Sequence, residues 1–381
     1  MRYLLHRMKR FCGFITGFVF FISGILKLMD PVGTGLIVKE YLDFIHLGFL
    51  EPAAKVFGAI LALTEAVLGT GLITGVWRHI ITPAVIGLQS IFTLVTLILV
   101  IFNPEMDCGC FGEAVHLTHW ETFVKNIILI ALLLIYYIPS GQLGETKRRK
   151  YISFSIVTAS VIMFMFYSWA YMPLVEYTEY RPGLSIKNSN QVEYEAVFVY
   201  EKDGRQETFG LDNLPDSTWT FVSADTAVKS GKASGTGLSF YGRNGEYADT
   251  LATKGKVIIV SLYDTDIKAK KLTRIKTFMK NAEQAGFKAI LLSSVPVDGI
   301  DNAYTADYKT LITLNRSNGG ATCFRDGYLI SKWSMRGYPD IADLERISSE
   351  DITEGIIGKE TQESLTFQAF LLYVFAVMLL L

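Results

Sequence analysis

The chain is organised around the stretch Asp107-Cys108-Gly109-Cys110-Phe111-Gly112, which lies between two long apolar runs. Two cysteines one residue apart bring their Cα atoms to within about 5.5 to 7 Å if the backbone turns between them, which overlaps the separation that a disulfide requires. Gly109 and Gly112 favour such a turn, because a residue without a Cβ can adopt positive φ angles.

A disulfide closed over one intervening residue should be strained, and strained disulfides tend to be the labile or catalytic ones. The spacing therefore indicates thiol-disulfide exchange at Cys108 and Cys110. A second interpretation fits the spacing equally well. It is a tight glycine-rich loop whose cysteines are small apolar residues.

The composition places part of the chain in lipid. Half of the 381 residues are hydrophobic and 19% are charged, against a usual charged share of about 25%. The net charge is -1 and no long basic block occurs, so nothing indicates a nucleic-acid partner. Four cysteines are too few for a disulfide scaffold. Of the two isolated ones, Cys12 lies in an apolar run and is expected to be a small buried residue.

Six apolar runs are candidates to cross a bilayer. The first has about 19 residues, which at about 1.5 Å each nearly span a hydrocarbon core of about 30 Å. It lacks a clear cleavage site, so we expect a retained anchor rather than a signal peptide. Asp30-Pro31 should end this helix, and residues 31–52 should form an amphipathic connection at the surface. The predicted spans are residues 11–29, 53–74, 80–102, 123–138 with flanking residues, 151–172 and 365–381.

Basic residues predict the orientation of these spans. Clusters precede the first span, at residues 2–10, and the fifth, at residues 147–150, and Arg78 lies between the second and third spans. All of them fall on one side, which by the positive-inside rule is the cytoplasm. The cysteine loop and residues 173–364 should therefore lie outside. This predicts a multi-pass inner-membrane protein with its large soluble domain in the periplasm.

Residues 173–364 have the composition of a soluble protein and divide into two parts. In residues 173–253, polar and apolar residues alternate over 192–200 and 218–222, which predicts a small antiparallel sheet. Residues 254–350 follow the order strand, helix, strand, helix, hairpin, helix, which indicates an α/β sandwich. The expected strands are 256–263, 287–292, 321–324 and 328–333, the last two joined by an Asp326-Gly327 turn. The expected helices are 268–285, a short helix leading to 311–314, and 341–347.

The membrane part resembles the DoxX/MauE family of four-helix membrane proteins over residues 10–140. The CGCFG motif is the most specific shared feature. The other matching residues are 23–31 at the end of the first span, Glu65, Gly69 and Gly71 in the second, Asp107 before the motif, and Lys125-Asn126 in the fourth. The resemblance implies a role in periplasmic disulfide formation during maturation of other proteins, or in quinone-linked sulfur oxidation.

Residues 254–350 resemble a thioredoxin-like domain, with 256–263 as the strand that leads to the usual active-site loop. The sequence departs from that pattern at two places. Residues 264–268 stand where a Cys-x-x-Cys is expected, and Asn318-Gly319-Gly320 stands where a cis-proline is expected. Because both are missing, we expect a degenerate domain that binds and does not catalyse. We expect Cys323 to be a core residue.

Two ionisable residues, Lys27 and Glu65, lie at or inside apolar spans, where an unpaired charge is costly. A structural ion pair between the first two spans is the favoured interpretation, because Lys27 is close enough to a helix end to extend its amine to the interface. The alternative is a proton path, or a group that tunes a site near the outer surface. Gln89 and Asn126 are expected to form hydrogen bonds between helices.

Cys108, Cys110, His116 and His119 together offer four ligands of the types that tetrahedral zinc prefers. Zinc knuckles, however, usually separate their cysteines by two to four residues. Metal binding is therefore the weaker alternative, and no residue is assigned to a metal.

These observations predict a membrane α-helical bundle with a soluble α/β periplasmic domain. The bundle comprises four DoxX/MauE-like spans and two further spans, and the soluble domain comprises a β-rich part and a thioredoxin-like part. The expected divisions are residues 1–140, 141–172, 173–253, 254–350 and 351–381, of which the last contains a linker and the C-terminal span.

The predicted function is that of a membrane thiol-disulfide component, which would make the protein a thiol-disulfide oxidoreductase. Cys108 and Cys110 would exchange electrons with a periplasmic protein that the thioredoxin-like domain docks. The expected supporting residues are Gly109, Phe111, Gly112, Lys27, Glu65 and Asn126. The sequence requires no cofactor, although a quinone among the helices could accept the electrons. The alternative is a non-catalytic envelope scaffold or assembly factor with structural cysteines.

Overall fold

The membrane part of the chain is a bundle of long apolar helices. The computed structural model describes residues 2–104, 106–138, 146–186, 194–202, 205–210, 219–228, 238–242, 244–264, 269–297, 299–300 and 302–380. Among these residues, six helices are long and apolar enough to cross a membrane, which confirms the predicted six spans. They are α1 (Arg2–Met29), α3 (Ala54–Thr74), α4 (Arg78–Phe102), α5 (His119–Tyr137), α6 (Arg148–Ala170) and α10 (Ile352–Leu380).

Glycines allow α1 and α3 to pack closely. A Cβ on Gly24 would lie 2.5 Å from the backbone nitrogen of Ala66, and a Cβ on Gly69 would lie 2.4 Å from that of Phe21. Small residues at such positions let two helix backbones approach, which is a main source of association between helices in lipid. One buried apolar cluster then joins α6 and α10 to α1 and α3.

The basic clusters lie at one end of the bundle, as the charge pattern predicts. Thr146 donates a hydrogen bond to the Gly75 carbonyl oxygen at 2.6 Å, and Lys150 Nζ donates one to the Met378 carbonyl oxygen at 2.9 Å. The turn before α4, the start of α6 and the end of α10 are therefore neighbours. The connection between α4 and α5 lies at the opposite end, where Arg316 of the soluble part forms an ion pair with Glu113.

The connection after α1 is more structured than predicted. Asp30 does end α1, and its side chain accepts a hydrogen bond from Gly33 N at 2.9 Å, which caps a second helix, α2 (Pro31–Phe44). A 3-10 helix (Gly48–Ala53) leads into α3. The helix α2 is amphipathic as predicted, because Pro31, Thr34 and Ile37 on one of its faces are buried and Glu40 on another is exposed.

The first soluble part contains the predicted antiparallel sheet. Its strand order is β3-β2-β4, with β2 (Tyr194–Lys202), β3 (Arg205–Gly210) and β4 (Thr220–Val228). The sequence did not predict β3, because Arg205-Gln206-Glu207-Thr208-Phe209-Gly210 has a single large apolar residue and so shows no alternation. Residues 192, 193 and 218 of the predicted strands lie outside the described residues.

The second soluble part is a mixed five-stranded sheet in the order β7-β6-β5-β8-β9. The strands β5 (Lys256–Leu262), β6 (Lys288–Ser293) and β7 (Ala303–Thr305) are parallel, and β8 (Gly320–Arg325) and β9 (Tyr328–Trp333) form an antiparallel hairpin. One buried cluster lies under α7 (Ala269–Gln284) and α9 (Ile341–Ser349), and another under α8 (Tyr308–Leu314). The α/β sandwich is confirmed.

Details of this sheet differ from the prediction. The strand β7 has three residues, too few for a recognisable pattern, and residues 311–314 are the last turn of α8. The hairpin turn is confirmed, since Asp326 and Gly327 have φ 49° and 81°. Cys323 is fully buried in β8, as expected.

The last helix begins earlier than predicted. Residues 351–364 were expected to form a linker, but α10 starts at Ile352 and runs continuously to Leu380. Ile352 and Ile356 pack against the core beneath α7 and α9. Gly355 and Gly358, poor helix formers, obscured this start in the sequence.

Candidate functional site

Cys108 and Cys110 lie in the loop that joins α4 to α5, and a short extended segment, β1 (Cys110–Glu113), begins at the second cysteine. Both are free thiols, and their Sγ atoms are 3.9 Å apart. Gly109 has φ 61° and Gly112 has φ 60°, so both glycines adopt positive φ angles as predicted. A Cβ on Gly109 would lie 2.4 Å from Ile37 Cγ2 of α2, so this position requires glycine.

Hydrogen bonds from two helices fix the backbone of this cysteine loop. Tyr41 in α2 donates its hydroxyl proton to the Cys108 carbonyl oxygen at 2.8 Å. Ser23 Oγ in α1 lies 2.6 Å from the Cys110 carbonyl oxygen and 2.6 Å from Glu65 Oε2. Because a hydroxyl carries one proton, Ser23 donates to one of these oxygens at a time. The loop is thereby tied to α1 and, through Ser23, to α3.

The two thiols differ in acidity. The hydrogen bond from the Cys108 thiol, assisted by the positive charges of Lys125 and Lys27, lowers the pKa of Cys110 to about 6 although burial opposes it. The same contact with Cys110, together with burial, raises the pKa of Cys108. The lowered pKa favours the thiolate form at Cys110 rather than at Cys108. Since the thiolate is the nucleophilic form of cysteine, Cys110 is the candidate attacking group.

Lys27 and Glu65 form the predicted ion pair between α1 and α3. Lys27 Nζ lies 2.5 Å from Glu65 Oε1, and the two side chains are 7% and 1% exposed. Lys27 Nζ also lies 5.5 Å from the centroid of the Phe92 ring in α4. Either charge alone would be costly inside the bundle, so the two neutralise each other. Through Ser23 this pair borders the cysteine loop.

Gln89 and Asn126 join α4 to α5, as predicted. Gln89 Nε2 donates to the Asn126 carbonyl oxygen at 3.3 Å, and Asn126 Nδ2 donates to Thr96 Oγ1 at 3.2 Å. Asn126 lies one residue beyond Lys125, so the same turn of α5 supplies a helix-helix hydrogen bond and a cation near Cys110.

A cavity of about 390 Å³ lies beside the cysteine loop, between helices α1 to α5. Cys108, Gly109 and Cys110 form part of its wall, and Gln89 and Leu129 line it deeper in the bundle. Most of the remaining wall is apolar. The two thiols therefore adjoin an internal space of the membrane domain as well as the outer surface.

Residues 4–139, which contain the first four spans and the cysteine loop, match the family model described as methylamine utilisation protein MauE. The membrane bundle is MauE-like. A domain of unknown function (DUF8463) matches residues 194–230. A curated relative, Protein TlpB from Flavobacterium psychrophilum, is 29% identical over 151 residues, which cover 39% of this chain and 41% of the relative. The chain thus matches about two fifths of that relative's length. No solved structure matches the chain.

The mixed-sheet domain is docked on the MauE-like bundle by a buried arginine. Arg316, after α8, forms ion pairs with Asp30 Oδ2 at 2.9 Å and Glu113 Oε1 at 3.2 Å, and its side chain is 4% exposed. Lys332 of β9 pairs with Glu176, which follows α6, at 3.0 Å. Since Glu113 ends β1, the mixed-sheet domain is connected directly to the segment that begins at Cys110.

The loop that follows Arg316 occupies the position where a cis-proline was expected. Asn318 Oδ1 accepts hydrogen bonds from Tyr263 N at 3.0 Å and Asp264 N at 3.2 Å, and Asn318 Nδ2 donates to the Asp264 carbonyl oxygen at 2.9 Å. An asparagine side chain therefore holds the end of β5, from which the Cys-x-x-Cys loop would start. Residues 265–268 lie outside the described residues.

The two histidines of the loop do not join the cysteines. His119 Nε2 lies 2.9 Å from the Met106 carbonyl oxygen, and His116 Nδ1 lies 3.3 Å from Asp107 Oδ2. Within the described part of the chain, no group of three or more His, Cys, Asp or Glu side chains could hold a metal ion. The zinc interpretation therefore has no support in the geometry.

Sequence reasoning missed several residues of this site. Lys125 carried a recognisable signal, since it is an ionisable residue near the start of an apolar span, and its Nζ also lies 4.8 Å from the centroid of the Phe111 ring. Ser23, Tyr41 and Arg316 gave no such signal, because only the folded chain brings these distant residues to the loop.

Proposed function

We propose that this chain is a membrane thiol-disulfide component whose redox pair is Cys108 and Cys110, and that the pair exchanges electrons with a periplasmic protein. The geometry of the pair carries the proposal. Two free thiols lie 3.9 Å apart, and the charge of Lys125 favours the thiolate of one of them. Because bonded sulfurs are about 2.05 Å apart, a closure of about 2 Å would form the disulfide.

In the proposed exchange, Cys110 forms the mixed disulfide, because Cys108 is buried and Cys110 is partly exposed. A partner thiolate attacks Cys110 Sγ of the oxidised pair, and Cys108 leaves and takes a proton. A second partner thiolate then attacks the partner's own bridging sulfur and displaces Cys110. A thiolate of low pKa leaves faster, so Lys125 favours this second step. Two electrons pass from the partner to the pair, and the partner gains a disulfide.

The charge pattern supports the periplasmic location. The cysteine loop and the mixed-sheet domain that contacts it lie at the bundle end opposite the basic clusters, and basic loops mark the cytoplasmic side of an inner membrane. The thioredoxin-like interpretation of the mixed sheet also belongs to this proposal. Its support is the strand order, with β5 and β6 parallel around α7 and the hairpin antiparallel beside them.

One observation favours a second candidate, a non-catalytic envelope scaffold with structural cysteines. The mixed-sheet domain carries no cysteine in residues 264–268, and the loop at Arg316 and Asn318 rests against the bundle. In that case the pair would serve only to pack the cysteine loop.

Single cysteine replacements in intact cells distinguish the two candidates. In Cys108→Ser, the Cys110 thiolate can still attack the disulfide of an oxidised partner, which is the reverse of the exchange, but the thiol that would then displace the partner is absent. A disulfide-linked complex with a protein partner should therefore accumulate. Cys110→Ser should accumulate none, and acid trapping followed by non-reducing electrophoresis shows both results. The scaffold function would replace the redox function if neither variant captured a partner and the wild-type pair kept one oxidation state under reducing and oxidising growth.

A further inference from the structure

Phe111, the residue after Cys110, lies in the same tight turn as the thiol. Gly112 N donates a hydrogen bond to the Gly109 carbonyl oxygen at 3.2 Å, so Cys110 and Phe111 are the two central residues of a hydrogen-bonded turn. Ser23 Oγ lies 2.6 Å from the Cys110 carbonyl oxygen, which belongs to the peptide group that joins these two residues. The backbone that carries the Phe111 ring therefore has a fixed position relative to the Cys110 thiol.

The Phe111 ring contacts the amine of Lys125. Lys125 Nζ of α5 lies 4.8 Å from the ring centroid, within the distance of about 6 Å over which an aromatic face attracts a cation. Lys125 and Cys110 also line the same cavity beside the cysteine loop. A lysine near the end of a span can otherwise extend its amine to the aqueous interface. The ring therefore favours the position in which the amine stays near Cys110.

Of the two cations near Cys110, only one is paired with a carboxylate. Lys27 Nζ lies 2.5 Å from Glu65 Oε1, and the negative charge of Glu65 weakens the field of Lys27 at the thiol. Among the residues that the structure describes, Lys125 forms no ion pair with a carboxylate. A carboxylate would hold Lys125 and neutralise it, whereas an aromatic ring holds a cation without adding a negative charge.

Few other groups near Cys110 carry charge or titrate. The side chains of this kind that face it, from its own loop and from the helices packed against it, are Cys108, Lys27 in α1, Tyr41 in α2, Glu65 in α3 and Lys125 in α5. The residues of α4 that line the cavity are uncharged. The contact with Cys108 and the charges of Lys125 and Lys27, in that order, lower the pKa of Cys110 to about 6. Lys125 is therefore the cation whose position matters most for the Cys110 thiolate.

We propose that Phe111 is a positioning residue whose ring holds the Lys125 amine beside the Cys110 sulfur and leaves its charge unneutralised. The role rests on the proposed function, in which Cys110 forms the mixed disulfide and then leaves as a thiolate, because a nearby cation favours that departure. A leucine at position 111 would fill much of the same space but present no aromatic face. Packing of the loop and attraction of the cation can therefore be separated.

The test measures how alkylation of Cys110 by iodoacetamide depends on pH in the full chain, reduced and purified in mild detergent. Mass spectrometry with fragment ions assigns the label to position 110. Phe111→Leu should raise the midpoint by about 0.5 to 1 pH unit, because the amine is then free to move away and the thiolate loses part of its stabilisation. Phe111→Tyr keeps an aromatic face and should restore the wild-type midpoint.

A second phenylalanine close to Lys125 provides the matched control. Phe123 lies on α5 two residues before Lys125, and its ring packs against Trp120 with centroids 6.0 Å apart. Phe123→Leu should therefore leave the midpoint unchanged. A ring-fluorinated phenylalanine at position 111 keeps the shape of the side chain and withdraws negative charge from the ring face. It should raise the midpoint as Phe111→Leu does, and it serves as the test if the leucine variant fails to fold.

A double-mutant cycle shows whether Phe111 acts through Lys125. Lys125→Met should raise the midpoint, and Phe111→Leu added to it should cause no further rise, because the ring then has no cation to hold. The proposal would be overturned by the same rise with and without Lys125, or by equal midpoints in Phe111→Leu and Phe123→Leu. Alkylation needs no protein partner, so the two proposals fail separately. Capture of a partner by Cys108→Ser, with an unchanged midpoint in Phe111→Leu, would overturn the role of Phe111 and leave the proposed function standing.

Discussion

The two thiols of the cysteine loop differ in their surroundings. Their Sγ atoms are 3.9 Å apart, and the positive charges of Lys125 and Lys27 near Cys110 lower its pKa and so favour a thiolate at Cys110. This arrangement separates the roles of two residues that look equivalent in the sequence. In the proposed exchange, Cys110 forms the mixed disulfide and then leaves as the thiolate, and the buried Cys108 is the thiol that pairs with it in the disulfide.

Alkylation of Cys110 should depend on pH with a midpoint near 6. Only the thiolate reacts, so the rate should be nearly maximal at neutral pH and should fall as the pH drops through the lowered pKa of Cys110. Cys108→Ala removes the largest stabilising contact and should move the midpoint upward, while Cys108→Ser keeps a hydroxyl donor and should move it less. Iodoacetamide labelling, quantified by mass spectrometry on the peptide that contains Cys110, measures the midpoint. A wild-type midpoint above about pH 8, the ordinary range of cysteine, would contradict the assignment.

The sequence predicted the tight turn at the two cysteines but not the surroundings of that turn. The CGC spacing and its two glycines predicted a tight turn, because the conformations open to glycine are a local property. The difference in pKa between the Cys108 and Cys110 thiols depends partly on the charge of Lys125. The position of the loop depends on hydrogen bonds from Ser23 and Tyr41. These three residues lie in three different helices, so their convergence is a result of tertiary packing that no local pattern encodes.

Between elements, the ion pair of Lys27 and Glu65 is the main polar link of α1 with α3. Lys27→Met leaves a buried carboxylate without its cation and should lower the free energy of unfolding by about 3 to 5 kcal/mol. The double variant Lys27→Met/Glu65→Leu removes both charges and should be much closer to wild type. Denaturant unfolding in detergent, followed by circular dichroism, measures the difference.

The chain contains a suitable control for that experiment. Lys39 and Glu51 form an ion pair whose side chains are 33% and 45% exposed, and exposed pairs contribute only about 0 to 1 kcal/mol. Lys39→Met should therefore have little effect. If the double variant were as unstable as Lys27→Met, loss of packing rather than an unpaired charge would be the cause.

Among the elements, those with a strong periodic or apolar signal were predicted to within a few residues. The spans follow from hydropathy, and the β8-β9 hairpin follows from Asp326-Gly327. The elements that were missed have weak signals, namely β3 with one large apolar residue, β7 with three residues, and the polar start of α10 with its two glycines. For these, pairing with neighbouring strands or packing against the mixed sheet outweighs local propensity.

At the scale of the whole molecule, Arg316 connects the mixed-sheet domain to the cysteine loop. Arg316→Met leaves Asp30 and Glu113 without their shared cation, so β1 should be held less firmly. Amide hydrogen exchange in residues 110–113 should become about tenfold faster or more. Arg346→Met is the control, because Arg346 pairs with Asp343 on the exposed surface of α9, at 70% and 51% exposure. Equal exchange in both variants would mean that the docking contact does not restrain the loop.

The orientation of the whole molecule in the membrane can be tested with single introduced cysteines. In a chain whose native cysteines are replaced by serine, His116→Cys probes the cysteine loop, Tyr247→Cys probes the soluble part and Arg149→Cys probes the basic end, all at exposed positions. If basic residues mark the cytoplasm, a membrane-impermeant maleimide should label positions 116 and 247 in intact spheroplasts and position 149 only after lysis. Because the structure places 116 and 149 at opposite ends of the bundle, labelling of both in intact cells would contradict the span assignment. If position 149 were labelled in intact spheroplasts and positions 116 and 247 only after lysis, the topology would be reversed. The two cysteines would then lie in the reducing cytoplasm, where a stable disulfide is not expected.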